Sequence, residues 1–228
     1  MTRHIRWNLV FGMAILVVIA AASPLWLAQL APEQTITEDD EAFACPPEIG
    51  APECTVLAEI EAENPLEAEA MIAALLADPI PAPANEASRD SMASDIDRDA
   101  VSVFSETRVR TGIFTRIDPL HFAEGTVNVW EIVADEQVIR YVRFEDGFRV
   151  ARGPDLRVYF SINPEPRTAE EMLAGDSALE IGLLKGNLGG QNYRIDNDID
   201  IPQFASVVIF SAQYGTVFSS APLQQPLQ

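Results

Sequence analysis

From about Asp99 onward the chain is written in short β-prone runs, broken by turn residues about every eight to twelve positions. That spacing commits it to paired strands rather than to packed helices. "VSVFSETRVRTGIFTRI" supplies one or two strands. In "TVNVWEIV", Thr126 to Val133, a period of two puts Val127, Val129, Glu131 and Val133 on one face. "QVIRYVRFED" sets Ile139, Tyr141 and Arg143 opposite Val138, Arg140 and Val142. "LRVYFSI", "LEIGLL", "NYRI", "SVVIF" and "GTVFSS" follow, with one helical interruption, "TAEEML", over residues 168–173. These runs predict an all-β domain of about 125 residues, a single antiparallel β-sandwich or barrel.

The other end of the chain has a different character. Arg3 and Arg6 precede 26 residues without a charge, Trp7 to Pro32. About 20 apolar residues suffice for a helix to cross a bilayer, and Trp7 and Trp26 stand near the two ends, where such rings favour the interface. The expected arrangement is a single-pass anchor in the cell (inner) membrane, with the N-terminus cytoplasmic and the C-terminal domain periplasmic or extracellular. A cleaved signal peptide ending at Ala20–Ala22 is the competing reading. The apolar character, however, runs on past Ser23-Pro24 to Leu30, longer than a signal core. Cys45 follows "AFA" but lies too far from the apolar run to be a lipidated cysteine.

Net charge is −20, concentrated in residues 32–99, which carry 18 acidic and 2 basic side chains. No basic stripe exists to gather phosphates, so nucleic acid is excluded as a partner. Cys45 and Cys54 form no CxxC motif, and His4 and His121 are isolated, which excludes a zinc site of the usual spacing. In an oxidising compartment the two cysteines are expected to close a small disulfide loop across "PPEIGAPE". The alternative, a redox pair, lacks a visible helix N-terminus or basic neighbour to lower a thiol pKa.

Between anchor and β domain, residues 33–98 are expected to form an acidic, partly helical stalk. "NPLEAEAMIAALLADP" carries helix punctuation: Asn64 as N-cap, Pro65 in the first turn, Glu67 three residues after the cap, and Asp78-Pro79 as the stop. Leu66, Met71 and Leu75, with Ile72 and Leu76, make one apolar side, which rests on the neighbouring domain or on "TVLAEIEAE"; a partner-binding helix is the alternative. "DPIPAPANEASRDSMASD", residues 78–95, reads as a linker. The expected division is thus 1–32, 33–98 and 99–225.

"LLKGNLGGQNYRI", residues 183–195, holds the chain's only lysine among three glycines. A phosphate-binding P-loop needs its lysine after the glycines, followed by Ser or Thr and a helix. Lys185 comes first and a strand-like segment follows. Gly189-Gly190 is expected instead to make a hairpin connection with positive φ, and Lys185 to offer its charge to the acidic surface.

Four stretches together, "DPLHFAEGTVNVWE", "VRFEDGFRVARGPDLRVYFS", "IGLLKGNLGGQNYRI" and "SVVIFSAQYGTVFSSAPL", resemble the DM-thirteen (electron-transfer DM) domain in the family's order, from about Asp99 to Leu223. "SPLW" and "TITEDDEAF" upstream are similar to the anchor and acidic stalk of its membrane-anchored bacterial members. The positions that match the family's motifs are His121, Gly125, Gly153, Pro154, Asp155, Lys185, Gly186, Tyr193 and Ser211. Gly153-Pro154 should turn the chain into a strand, and Gly147, an extra residue relative to the family, is read as a β-bulge. The resemblance implies a redox role carried by a cysteine after the "VVI" strand. Here that position is Ser211, whose hydroxyl does not cycle between thiol and disulfide.

His121, near Asp118, has two readings: a hydrogen-bonded loop residue, or a metal ligand or proton-transfer group. "DNDID" spaces Asp196, Asp198 and Asp200 as a calcium loop would, but lacks that motif's glycine and distal glutamate, and reads as a polar turn. No G-x-S-x-G elbow supports a serine hydrolase. The sequence therefore assigns no catalytic residue, metal or cofactor. It points to a non-enzymatic binding or complex-organising module, held to the membrane by its N-terminal helix and facing an unidentified extracytoplasmic protein partner. The alternative is an accessory electron-transfer component of the cell envelope.

Overall fold

The computed structural model describes residues 43–226 apart from 95, 98 and 175–177. They belong to one compact unit, Phe43–Gln228. The anchor expected over residues 7–32 and the acidic stretch 33–42 lie outside the described residues. Among the described residues, no helix is long and apolar enough to cross a membrane.

Among the described residues ten strands pair antiparallel. One sheet has the order β1 (Phe104–Ile113), β3 (Thr126–Ala134), β4 (Gln137–Phe144), β8 (Gln191–Ile195). The second has the order β10 (Thr216–Pro222), β9 (Ser206–Ser211), β6 (Leu156–Ser161), β7 (Ala178–Leu183). β2 (Ala123–Glu124) and β5 (Arg149–Val150) pair separately. One apolar core joins the two large sheets. Val127 and Val129 sit across from Phe144 and Val142 on β3–β4, and they share a cluster with Val158, Phe160, Val207, Ile209 and Phe218 from the second sheet. Along one edge the sheets are stitched, Thr111 and Gln224 exchanging N–H···O bonds of 2.9 and 2.8 Å. The expected antiparallel all-β domain is thus present, as a sandwich.

Both outer faces are covered, which is why several strands read as continuous apolar runs rather than alternating ones. On β9, Val207 and Ile209 face the core, while Val208 and Phe210 pack with Met172 of α4 (Ala169–Leu173). Thr168 caps α4, its hydroxyl accepting from Glu171 N at 3.2 Å. On the first sheet, Trp130, Ile132, Ile139 and Tyr141 form a cluster with Met92 and Ala93.

Met92 belongs to the segment expected as a free linker, and here the structure differs. Residues 79–94, including α3 (Ala84–Ala87) and a 3-10 turn at Arg89–Ala93, lie as a strap across the first sheet. Arg89 stacks 4.0 Å from the centre of the Trp130 ring and pairs with Glu106 at 3.0 Å. The strap is held because Met92 fills an apolar hollow and the strap's backbone satisfies buried polar groups below. Arg143, 2% exposed, donates to Ala87 O (3.1 Å) and Asn192 Oδ1 (2.9 Å) and pairs with Glu145 and Asp146. Asn192 in turn donates to Ser88 O and Ser91 Oγ, both at 2.8 Å.

The helical part begins with α1 (Ala51–Glu63) and α2 (Pro65–Leu76). α2 starts as expected: Asn64 Oδ1 accepts from Glu67 N, and Pro65 opens the first turn. Met71 and Ala68 are its buried residues, and with Leu57 of α1, Met71 joins the main core. Leu66 and Leu76, expected on the apolar side, are 70% and 49% exposed. A Met71-centred stripe excludes both.

The glycine loop is not a hairpin. β7 and β8 lie in different sheets, so residues 184–190 cross from one to the other. Gly189 does adopt a positive φ, +88°. Gly186 and Gly190 serve close approach: a Cβ on Gly186 would stand 2.5 Å from Ala82 N, and one on Gly190 2.6 Å from Ala87 O. The strap is what they make room for. Gly147 is not in a bulge either but in a turn closed by Phe148 N to Glu145 O at 2.8 Å. Register shifts occur at Arg108/Arg110, Val158/Tyr159 and Val217/Ser219.

Candidate functional site

Asp118 organises the loop that carries His121. Its Oδ1 accepts the N–H groups of Leu120 (2.7 Å) and His121 (2.8 Å), the local bonding that Asp-Pro-Leu-His favours. Its Oδ2 lies 2.7 Å from His121 Nδ1. A carboxylate there calls for the proton on Nδ1, leaving Nε2 with the lone pair. Burial acts to raise the Asp118 carboxyl, but the His121 ring and the two backbone N–H groups outweigh it and hold the group below its ordinary value.

His121 is 6% exposed, and among the described residues its buried Nε2 has no hydrogen-bond partner. Its ring meets Phe218 edge-on at 4.9 Å. Phe218 also explains Gly153, where any Cβ would run into that ring. One residue on, Pro154 O accepts the Ser211 hydroxyl at 2.8 Å, and Asp155 O accepts Ala212 N at 3.1 Å. Asp155 turns the chain into β6 with φ +45°, and its carboxylate takes both Arg157 nitrogens at 3.1 Å. His121, Gly153, Pro154, Asp155 and Ser211 are therefore one assembly, linked through Phe218 and the turn before β6.

The remaining motif positions lie elsewhere. Gly125, φ +110°, lets its backbone approach Phe148, whose Cα a Cβ would meet at 2.9 Å. Lys185, Gly186 and Tyr193 gather at the crossover loop. There Lys185 Nζ donates to Asn192 O at 2.8 Å and lies 5.1 Å from the Tyr193 ring centre, while Tyr193 OH donates to Gln191 Oε1 at 2.7 Å. The lysine thus meets a carbonyl and a ring face of β8.

Cys45 and Cys54 are joined in a disulfide, Cα–Cα 5.8 Å, as expected. Cys54 lies in the first turn of α1, which begins at Ala51 with Gly50 as N-cap. A helix N-terminus beside these cysteines was not legible beforehand, because Gly50-Ala-Pro reads as loop until the helix beyond it is seen.

Chemically the assembly is closed. Ser211 is 1% exposed, so a reagent has no path to its hydroxyl. Among the described residues no three His, Cys, Asp or Glu side chains are grouped to hold a metal ion. Phe218 was not singled out from the sequence, since an aromatic in a strand signals only core. Also missed was an open cleft of about 790 Å³ beside β1, lined by Arg108, Arg110 and Arg140.

A strapped antiparallel sandwich with a sealed His–Phe–Ser assembly defines a small extended-core β module. Its residues 117–223 match the family described as electron transfer DM13, and the chain carries a domain of that family. No curated protein and no solved structure matches the chain.

Proposed function

We propose that the chain is a non-enzymatic binding module of the cell envelope, a membrane-anchored bacterial-type member of its family facing an extracytoplasmic partner. The observation that carries this reading is Ser211. At the position where the family resemblance calls for a thiol, a buried hydroxyl donates to Pro154 O and serves as a structural tie. The Cys45–Cys54 disulfide supports an oxidising compartment, and the uncharged run from Trp7 to Pro32 supports the anchor. The purified protein is expected to be colourless, free of stoichiometric metal and silent in a redox titration of its β domain. A visible absorption band or bound metal would end this reading.

A second reading, accessory electron transfer, is favoured by one observation. Cys54 sits in the first turn of α1, where the helix dipole stabilises a thiolate. In that case Cys45 and Cys54, outside residues 117–223, would be the couple, accepting two electrons and two protons on reduction to the dithiol. Reversible reduction by a mild dithiol, lost in Cys45→Ser/Cys54→Ser, would favour it over the first.

A further inference from the structure

β1 is the terminal strand of its sheet. On its outer side only Thr111 is bridged among the described residues, to Gln224. Gln225 and Pro226 follow along the cleft, and Pro226 has no N–H to add to a ladder. Among the described residues, the stretch Thr107–Arg110 therefore presents an unpaired strand edge as one wall of the open cleft. The bulge between Arg108 and Arg110 leaves Val109 without a partner on β3, and across the cleft Ile199 is half-buried beside the buried Ile201.

Charge sets this edge apart. The chain has 35 acidic and 15 basic side chains, yet the cleft is lined by Arg108, Arg110 and Arg140. Arg140 is engaged with Glu131 at 3.0 Å and with Asn197 O. Among the described residues the side chains of Arg108 and Arg110 make no hydrogen bond or ion pair, though their backbones pair with β3. Of the two carboxylates in the cleft, Glu131 is neutralised by Arg140, and Asp200 is the other. Charges and bulges also guard edge strands against unwanted pairing. That role needs no cleft, and it accounts for neither the apolar far wall nor a cationic guard on so acidic a chain.

We infer that this cleft docks an extended acidic segment of a partner protein, which adds as a strand to the edge of β1 and sets carboxylates on Arg108 and Arg110. The inference rests on the binding-module reading and gives that module its ligand class. Backbone pairing would supply affinity, and the alternate side chains of the added strand would supply specificity: acidic toward the guanidiniums, apolar toward the half-buried Ile199.

The test is fluorescence anisotropy on the full chain, with a labelled eight-residue peptide alternating glutamate and valine. Saturable binding is expected, weakened about tenfold or more by Arg108→Glu/Arg110→Glu and by raised salt. Arg167→Glu, an exposed reversal elsewhere, should leave it unchanged. The lysine-for-glutamate peptide should not bind, and N-methylation of alternate amides should abolish binding. Unchanged melting temperatures would show that the variants fold. No binding of the glutamate peptide, or equal binding of the lysine peptide, overturns the inference. So does binding indifferent to the double reversal, although the module reading then survives; N-methylated peptide binding as well as its parent removes strand addition. Bound metal or a redox signal strikes instead at the reading beneath, and is measured separately.

Discussion

Around His121 and Ser211 the polar atoms are sealed beneath Phe218 and the Gly153-Pro154 turn, whereas along β1 the guanidiniums of Arg108 and Arg110 stand in an open cleft. The sealed region lies within residues 117–223, the stretch that matches the family, and the two unpaired arginines precede it. The contrast teaches that the shared motif residues here build the sandwich, while the exposed chemistry comes from the chain around it. Most buried polar groups in folded proteins are bonded; the buried Ser211 hydroxyl donates to Pro154 O, and the part-buried Asp118 carboxylate takes two backbone N–H groups and the His121 ring. The arginines by β1 leave their side-chain bonding to be met from outside.

Substitutions in the sealed regions should therefore cost stability, in a graded order. Arg143→Ala removes the cation that ties strap to sheet, and with it the donor to Asn192 Oδ1 and Ala87 O; a loss of about 3 kcal/mol is expected in urea unfolding. Limited proteolysis should then cut first in residues 79–94. Cys45→Ser/Cys54→Ser frees a short loop of sequence separation 9 and should lower stability by about 2–3 kcal/mol. Thiol labelling of the wild-type chain, made in an oxidising compartment, should require prior reduction. Gly153→Ala drives a methyl into the Phe218 ring and should cost about 1–3 kcal/mol. A melting temperature unchanged by it would mean that Phe218 is not seated as described.

The smallest effect concerns pH. The Asp118 carboxyl is held below its ordinary value of 3.8 in the folded chain. Its contribution to stability is therefore complete above that value and lost as pH falls through the lower folded one. Asp118→Asn should flatten that part of the acid limb while leaving the slope at neutral pH alone. An unaltered acid limb would contradict the Asp118–His121 pairing.

Strand content was legible because Val127, Val129, Ile139 and Tyr141 alternate with the period of a pleated strand, and α2 because Asn64, Pro65 and Glu67 occupy fixed capping positions. The strap was not. Its Pro, Ala and Ser content is that of a linker, and the attachment depends on Met92 and on backbone carbonyls that composition does not reveal. Sheet membership was equally hidden. Runs adjacent in sequence, β7 and β8, read as a hairpin, but the glycines between them answer to the backbone at residues 80–87, a partner about a hundred residues away in the chain. Of the site, the family positions were named, yet their grouping through Phe218 and the burial of Ser211 required coordinates. Arg108 and Arg110 gave no local signal, since two arginines in "TRVR" on a strand look like any solvated edge.

The most direct measurement is a redox titration of the full chain carrying Cys45→Ser/Cys54→Ser, followed by absorbance and by electron count. With Ser211 in place of the family's sulfur, no electrons should be taken up over the range of biological mediators. Stoichiometric, reversible uptake by that variant would place a redox centre within the sealed sandwich and contradict the account.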